Sequence, residues 1–200
     1  MQKYRQTFPN SCGAASLMCA AIELGKTLIP EDTNVHSTWH LSHAMESPDK
    51  GCENLIYAVT SGANGFPSAA NGYSLPSLIG KAARGLGLTT IAFVPPGILG
   101  VTLLRLYGNE ESNAQANGTV LVRKEAPRPG SGQRLLKVMR VGDDDSWIPA
   151  TGLHYVMMRP DGSIMDPATG QNSPNLASLI QAQKTDRVFY ADTGVAILIT

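Results

Sequence analysis

The sequence predicts an α+β fold, because helical patterns come first along the chain and strand patterns follow. Apolar residues recur at helical spacing at Leu17, Ala20, Ala21 and Leu24. By contrast, residues 119–123 (TVLVR) and most of the chain after residue 152 are rich in strand-forming side chains. We expect residues 1–200 to form a single domain, since 200 residues with 42% hydrophobic side chains suffice for one core without disulfides.

Composition excludes several classes of partner. Sixteen basic residues balance sixteen acidic ones, so we expect neither a nucleic-acid partner nor insertion into a membrane. Three cysteines are too few for a disulfide framework, which favours a reducing compartment. The first twelve residues lack the apolar stretch of a signal peptide, and Pro95 and Pro96 interrupt the most apolar region. The protein is therefore expected in the cytoplasm, or exported without a cleavable signal peptide.

The first helix is predicted to begin after the turn residues Pro9 and Asn10, with Ser11 as N-cap and Gly25 as its stop. Proline and acidic residues at 30–32 predict the start of a second helix. Further along, the sequence predicts a loop at 61–72, a helix at 75–85 that ends at glycine, and a buried strand at 88–94.

The second half predicts a helix at 96–107, a polar loop at 109–118 and a strand at 119–123. Residues 123–140 form a basic run that indicates a solvated loop or a surface for an acidic partner protein, and three acids follow at 143–145. Residues 124–149 contain an insertion-like segment, PRPGSGQR. The remaining predicted elements are two strands around the turn at 160–162, a helix at 175–183, and strands at 188–190 and 195–199.

Cys12 lies where the first helix begins, in the stretch QTFPNSCGAASL. The thiolate is the reactive form of cysteine, and the free N–H groups and dipole of a helix N-terminus favour that negative charge. Gly13 and Ala14 would leave room beside the sulfur for a substrate carbonyl. The side-chain amide of Gln6, together with the Cys12 backbone N–H, could donate to the oxyanion formed on attack. This setting is that of a nucleophile, although a small buried cysteine in a helix is the simpler alternative.

A nucleophilic cysteine needs a histidine that takes up its proton, and the sequence offers four. His36, His40 and His43 fall on the predicted second helix, whereas His154 opens the strand GLHYVMM. A histidine at the start of a core strand can present its ring to a cleft, so we select His154. A strand histidine with ordinary hydrogen bonds is the alternative.

The turn after His154 predicts which acid orients it. Residues 159–163 (RPDGS) fit a three-residue hairpin loop, a type I turn followed by glycine in the left-handed conformation. That register pairs Arg159 with Ser163 and Val156 with Asp166, which makes Asp166 the diagonal neighbour of His154, about 7–8 Å across the ladder. A two-residue loop would place Asp166 on the opposite face.

These motifs resemble those of a known family. Gln6, Cys12-Gly13-Ala14-Ala15, His154-Tyr155-Val156 and Asp166-Pro167 are similar to the motifs of the papain-like bacteriocin-processing peptidases, also called double-glycine leader peptidases, and of their stand-alone relatives. The resemblance implies a papain-like fold in which an N-terminal helical part, with the nucleophile helix, packs on a C-terminal antiparallel sheet. Because the chain is longer than a typical domain of that family, it also implies insertions near 46–73 and 109–149. It implies that Cys12 is the nucleophile, His154 the general base and acid, Asp166 its orienting group and Gln6 the oxyanion donor.

The leading hypothesis is therefore a cysteine peptidase that acts on a peptide or protein through an acyl-enzyme and needs no cofactor or metal. A thiol enzyme acting on side-chain amides, as a deamidase or transglutaminase-like effector or toxin, is the nearest alternative. A catalytically silent papain-like module that binds peptides is another, and a secretion system or partner protein is a further expected contact.

The remaining histidines keep several interpretations. His36, His40 and His43, with Asp32, would form one stripe of the predicted second helix. This stripe is compatible with a two-histidine metal site, with a packed or solvated polar face, or with a border of the substrate cleft. Of the other cysteines, Cys19 is expected in the core and Cys52 in a loop or at a helix start.

Overall fold

In the computed structural model, the described residues are 1–68, 72–96, 110–142, 152–184 and 189–200. Five helices lie in these ranges: α1 (Cys12–Glu23), α2 (Lys50–Thr60), α3 (Pro76–Gly85), α4 (Glu110–Ala116) and α5 (Leu176–Gln183). The strands are β1 (Leu28–Ile29), β2 (His43–Ala44), β3 (Thr90–Phe93), β4 (Val120–Val122), β5 (Arg134–Gly142), β6 (Gly152–Met158), β7 (Ile164–Asp166), β8 (Gln171–Ser173) and β9 (Phe189–Ile199).

Seven strands form one sheet in the order β4-β3-β9-β5-β6-β7-β8, and β1 and β2 form a separate two-stranded ribbon. All neighbours in the large sheet are antiparallel except β3 and β4. Helices α1 and α3 pack on this sheet and α2 packs on both of them, which confirms the predicted α+β class.

Helix α1 lies in the centre of the main core. Its first ten residues are all buried, because it packs against α2 and α3 and also against strand β6. The Ser16 hydroxyl, one turn after Cys12, donates to the backbone carbonyl of Tyr155 at 3.3 Å. Since Tyr155 follows His154, this packing places the start of α1 beside the start of β6.

Strand β5 lies in the middle of the sheet, although the basic run at 123–140 predicted a solvated loop. The interpretation was wrong for 134–140, because the basic side chains there have partners and do not face solvent freely. Lys137 is 9% exposed and pairs with Asp192 at 2.8 Å, and Arg134 pairs with Glu23 at 2.7 Å. Long-range partners that the local sequence does not reveal therefore stabilise a strand with an unfavourable charge pattern.

No helix follows residues 30–32, so this prediction was also wrong. Side chains in the segment bond to nearby backbone and side-chain groups and so compete with helix formation. The Asp32 carboxylate accepts from the Asn34 N–H at 3.0 Å, and the His36 Nδ1 contacts the Thr38 hydroxyl at 2.9 Å. The segment is held by Trp39, which is fully buried and donates its indole N–H to the Leu55 carbonyl at 3.0 Å.

Two helices were not predicted. Asp49 caps α2 by accepting from the backbone N–H groups of Gly51 (2.6 Å) and Cys52 (2.9 Å), a signal present in the sequence. Helix α4 occupies residues predicted as a polar loop, and its buried Glu110 carboxylate accepts from the N–H of Ser77 at the start of α3. Whether 46–73 and 109–149 are insertions stays a prediction.

The other predicted elements in the described part are present: α3, β3, β4, the β6–β7 hairpin, α5 and the end of β9. The predicted strands at the C-terminus form one long strand, β9, with an irregularity opposite residues 137–139 and a glycine, Gly194, at φ 76°. The predicted helix at 96–107 and the acids at 143–145 lie almost wholly or wholly outside the described residues. None of the described helices has the length and apolar character that crossing a bilayer requires.

Candidate active site

Cys12 is the first residue of α1 and is 2% exposed. Ser11 holds the N-cap position as predicted, but its side chain makes no capping hydrogen bond. Its hydroxyl instead contacts the carboxylate of Glu53 at 2.5 Å and the carbonyl of Phe8 at 2.9 Å. The first turn of α1 also contains no acidic residue. Its N–H groups are therefore not occupied by a capping side chain and remain available to an anion beside Cys12.

The predicted three-residue loop is present between β6 and β7. The Arg159 N–H donates to the Ser163 carbonyl at 2.9 Å, and Gly162 has φ 90°. Strand pairing of Met157 with Met165 and of Met158 with Ile164 continues the same register. This register sets Asp166 diagonally opposite His154, and the His154 Nε2 lies 2.7 Å from the Asp166 Oδ1.

The His154 ring is buried between charged partners. Burial lowers the pKa of His154, but side-chain hydrogen bonds with Asp166 and Cys12 and the negative charges of both groups outweigh it, which raises the pKa to about 9. The imidazole therefore lies between a buried carboxylate and the thiol at the start of α1, and a histidine beside a thiol can take up its proton.

Asp166 is fully buried and rigidly held. Its Oδ1 also accepts from the Ala168 N–H at 2.9 Å, and the Thr169 hydroxyl approaches Oδ2 at 3.4 Å. Since these donors fix the carboxylate, it in turn fixes the orientation of the imidazole.

Gln6 lies next to this turn, because its backbone N–H donates to the Pro167 carbonyl at 2.8 Å. Its side-chain Nε2 donates to the carbonyls of Phe8 (2.8 Å) and Pro9 (2.9 Å), and its Oε1 is buried without a hydrogen-bond partner. Both amide hydrogens are thus used within the turn that precedes α1. In this conformation Gln6 shapes that turn, and donation to an oxyanion requires exchange of one of these two bonds.

Ser74 and Ile79 fill the space that a side chain at position 13 would occupy, and the expected room for a substrate carbonyl beside the sulfur stays a prediction. A Cβ atom at Gly13 would lie 2.5 Å from the Ser74 Cβ and 3.2 Å from the Ile79 Cδ1. Glycine is therefore required here for close packing of α1 against residues 74–79, and Ala14 is fully buried.

Two residues near the site were not identified from the sequence. The Tyr190 ring lies 5.5 Å from the His154 ring, and burial followed by the charges of Asp166 and Cys12 raises the tyrosine pKa. Glu53, fully buried, receives three donors from residues 4–11. From the sequence, Glu53 is only an acidic residue in the first turn of a capped helix. That position does not predict which groups its carboxylate contacts.

The other cysteines and histidines lie away from this arrangement. Burial raises the pKa of Cys19 to about 12, and burial with a hydrogen bond to Asp49 raises that of Cys52 to about 12. His36 contacts the carbonyl of Ala63 at 2.6 Å, and His40 is exposed. The histidine stripe expected for a second helix is therefore absent from these described residues.

One group in the described part of the chain could hold a metal ion: the ligand atoms of His43, Asp49 and Cys52 lie within 4.8 Å of one another. Hydrogen bonds that involve Asp49 and Cys52 already account for their closeness without a metal ion. Asp49 caps α2, and the Cys52 thiol donates to the Asp49 Oδ2 at 3.1 Å and to the Ala44 carbonyl at 3.3 Å.

Comparison with known proteins agrees with a cysteine-protease site. A family model described as "Invasion plasmid antigen J, cysteine protease" matches residues 4–200. "Cysteine protease IpaJ" of Shigella flexneri is 34% identical over 206 aligned residues, which cover 98% of this chain and 77% of the relative. No solved structure matches the chain. The predicted class of enzyme is thus confirmed, while the matching family is that of IpaJ and not specifically that of the double-glycine leader peptidases. The chain belongs to the IpaJ cysteine protease family and is a cysteine peptidase.

Proposed function

We propose that this cysteine peptidase hydrolyses peptide bonds of a protein substrate with Cys12 as nucleophile, His154 as general base and acid, and Asp166 as the group that orients His154. The observation that carries the proposal is the buried His154 imidazole, whose Nε2 lies 2.7 Å from Asp166 and whose pKa both Asp166 and Cys12 raise. A histidine that serves only packing needs neither a fully buried carboxylate nor a thiol at a helix N-terminus.

The proposed reaction has two steps. The thiolate of Cys12 attacks the peptide carbonyl carbon, and His154 gives its proton to the leaving nitrogen as the C–N bond breaks. This leaves a thioester on Cys12 and a neutral imidazole. His154 then takes a proton from water, the resulting hydroxide attacks the thioester, and the C–S bond breaks, which releases the carboxylic acid and regenerates the thiolate beside the protonated His154.

The negative oxygen formed in each step needs hydrogen-bond donors. The uncapped first turn of α1 supports a role for the Cys12 backbone N–H. We propose that Gln6 supplies the second donor by exchanging one of its bonds to the carbonyls of Phe8 and Pro9 for a bond to the oxyanion. Loss of one such donor typically lowers kcat by about 100- to 1,000-fold. Gln6→Ala is expected in this range, with a smaller loss for Gln6→Asn.

The deciding experiment is incubation of the protein with a proteome-derived peptide library, followed by mass spectrometry of the products. We expect new peptide termini with the wild-type chain and none with Cys12→Ala. Cys19→Ala is the matched control, since Cys19 is a buried core thiol, and it should cleave like the wild type.

The same experiment tests the alternative of action on side-chain amides. A deamidase would leave every backbone intact and increase peptide masses by about 1 Da. That result, dependent on Cys12, would overturn the peptidase proposal and retain the nucleophile. Unchanged peptides with both chains would favour a binding module.

An apolar pocket near the start of α1 supports a preference among substrates. Leu153 and Tyr155, whose side chains lie on the face of β6 that packs on α1, line it together with Val138 and Ile197. Ser74, which packs on Gly13, borders the same pocket. We propose that the pocket accepts an apolar group of the substrate, and the library should show apolar residues enriched near the cleaved bond.

The relative's family is described as an invasion plasmid antigen. This description supports the proposal that the present chain is also exported and acts outside the cell that makes it, through a secretion system. Tagged protein should then be found in the culture medium of the producing bacterium, with a cytoplasmic marker enzyme retained in the cells. Strict retention of both would contradict export.

A further inference from the structure

Glu53 is a buried carboxylate whose hydrogen-bond partners all belong to the segment that leads into α1. It is fully buried on the first turn of α2. The Tyr4 hydroxyl donates to it at 2.6 Å, the Thr7 N–H at 2.9 and 3.0 Å, and the Ser11 hydroxyl at 2.5 Å. Three donors match the acceptor-only chemistry of a carboxylate, and none of them is a cation.

We propose that Glu53 is a positioning residue of the peptidase, which holds residues 4–11 (here the entry segment) so that Gln6 and the start of α1 can stabilise the oxyanion. This inference rests on the proposed function. It assigns Glu53 no contact with the substrate, because its carboxylate is enclosed by protein groups.

The first observation is that the entry segment is held from two sides. The Gln6 N–H donates to the carbonyl of Pro167, directly after Asp166, and the next N–H, that of Thr7, donates to Glu53. These two bonds hold the entry segment between the turn that carries Asp166 and helix α2. Gln6 makes one of them, so its backbone position is fixed.

The second observation concerns Ser11. A serine at the N-cap position usually accepts from the N–H of the second or third helical residue, here Gly13 or Ala14. The contacts with Glu53 and with the Phe8 carbonyl keep the Ser11 hydroxyl out of that position, and α1 has no side-chain cap. Without Glu53 the hydroxyl loses its shortest bond and can turn toward the Gly13 and Ala14 N–H groups, which alters the turn that positions the Cys12 N–H.

A third consideration separates positioning from activation of the thiol. A carboxylate offers a thiolate no electrostatic support, so Glu53 is not expected to activate the nucleophile through its charge. Burial, followed by the charges of Cys12 and Glu53, raises the pKa of Tyr57 to about 12, so both groups lie near this tyrosine. The benefit of Glu53 must then be geometric, and it should appear in turnover and not in the reactivity of the thiol.

The test is Glu53→Gln, which keeps the size of the side chain and removes the second acceptor oxygen. Kinetics are measured on the library peptide that the wild type cleaves fastest, and Cys12 alkylation by iodoacetamide is measured in parallel. We expect kcat to fall about 10- to 100-fold with KM changed by less than about threefold. Alkylation needs no oxyanion donor, and its rate should stay within about threefold of the wild type or increase. Glu111→Gln, an exposed glutamate paired with Arg123, is the matched control.

Two results overturn the inference: a kcat equal to that of the wild type, or parallel losses of kcat and alkylation rate, which indicate a general structural role. If Glu53→Gln does not fold, Tyr4→Phe replaces it, since this change removes one donor to Glu53. A lower kcat with unchanged alkylation then supports the inference, and an unchanged kcat overturns it. Absence of cleavage by the wild type refutes the proposed function itself and with it the role of Glu53. Normal cleavage by Glu53→Gln refutes the role of Glu53 alone.

Discussion

Replacement of Asp166 by asparagine should change how the stability of the protein depends on pH. Asparagine keeps an oxygen that can accept from both His154 and the Ala168 N–H, so the change removes the charge and little else. His154 has its pKa raised from 6.5 to about 9 in the folded protein, in part by Asp166. One pKa unit corresponds to about 1.36 kcal/mol, so the full difference amounts to about 3 kcal/mol of folding free energy.

The sign follows from the direction of this pKa change. The folded state binds the proton of His154 more tightly than the unfolded chain, so the stabilisation is fully present below about pH 6.5. It falls as pH rises and is lost above about pH 9. Because Asp166 supplies only part of the raised pKa, we expect the decline between these pH values to be smaller by about 1–2 kcal/mol in Asp166→Asn.

The assay is urea unfolding of the wild type and Asp166→Asn at about pH 6.5 and about pH 9. The quantity compared between the two proteins is the loss of unfolding free energy from the lower to the higher pH. Cys19 and Cys52 also reduce stability at alkaline pH, because their pKa values are raised to about 12, and this contribution cancels in the difference. Asp161→Asn is the control on the same hairpin, since the lowered pKa of Asp161 affects only acidic solutions. Identical pH dependence in the wild type and Asp166→Asn would refute the electrostatic coupling of Asp166 and His154.

Three further substitutions test the structure around the site. Gly162→Ala should destabilise the protein by about 1–2 kcal/mol in urea unfolding, since φ 90° is strained for alanine. Because this turn sets the register that brings Asp166 to His154, kcat/KM should also fall, and an unchanged kcat/KM would contradict the dependence of the site on the turn. Gly13→Ala should destabilise by at least about 2 kcal/mol because its Cβ would overlap Ser74, and a thermal scan that matches the wild type would argue against the packing. Glu23→Gln should lower the free energy of unfolding by about 3 kcal/mol, because the buried Arg159 guanidinium loses its charge partner at 2.8 Å. A loss below about 1 kcal/mol would show that Arg159 finds another partner.

The parts of the site that depend on local chemistry could be predicted from the sequence. The turn around Pro160 and Gly162 determines the strand register, and the register brings Asp166 to His154. The start of α1 at Cys12 follows from turn residues and helical spacing in the same way. These inferences need no knowledge of the rest of the chain.

The parts that depend on distant partners could not be predicted. Strand β5 carries a basic pattern that becomes compatible with a sheet only when Lys137 meets Asp192 and Arg134 meets Glu23. The contacts of Glu53 with the entry segment join residues more than forty positions apart, for example Ser11 and Glu53. Spacing along the sequence contains no information about such pairs.

The most direct measurement of the central claim is the rate at which iodoacetamide alkylates each cysteine, resolved by mass spectrometry across a range of pH. The structure contains its own controls, because Cys19 and Cys52 are buried thiols with pKa values near 12. We predict that Cys12 reacts at least about 100-fold faster than either at neutral pH, and that His154→Ala removes this difference. Equal rates for all three cysteines, or a Cys12 rate unaffected by His154→Ala, would contradict the proposed nucleophile.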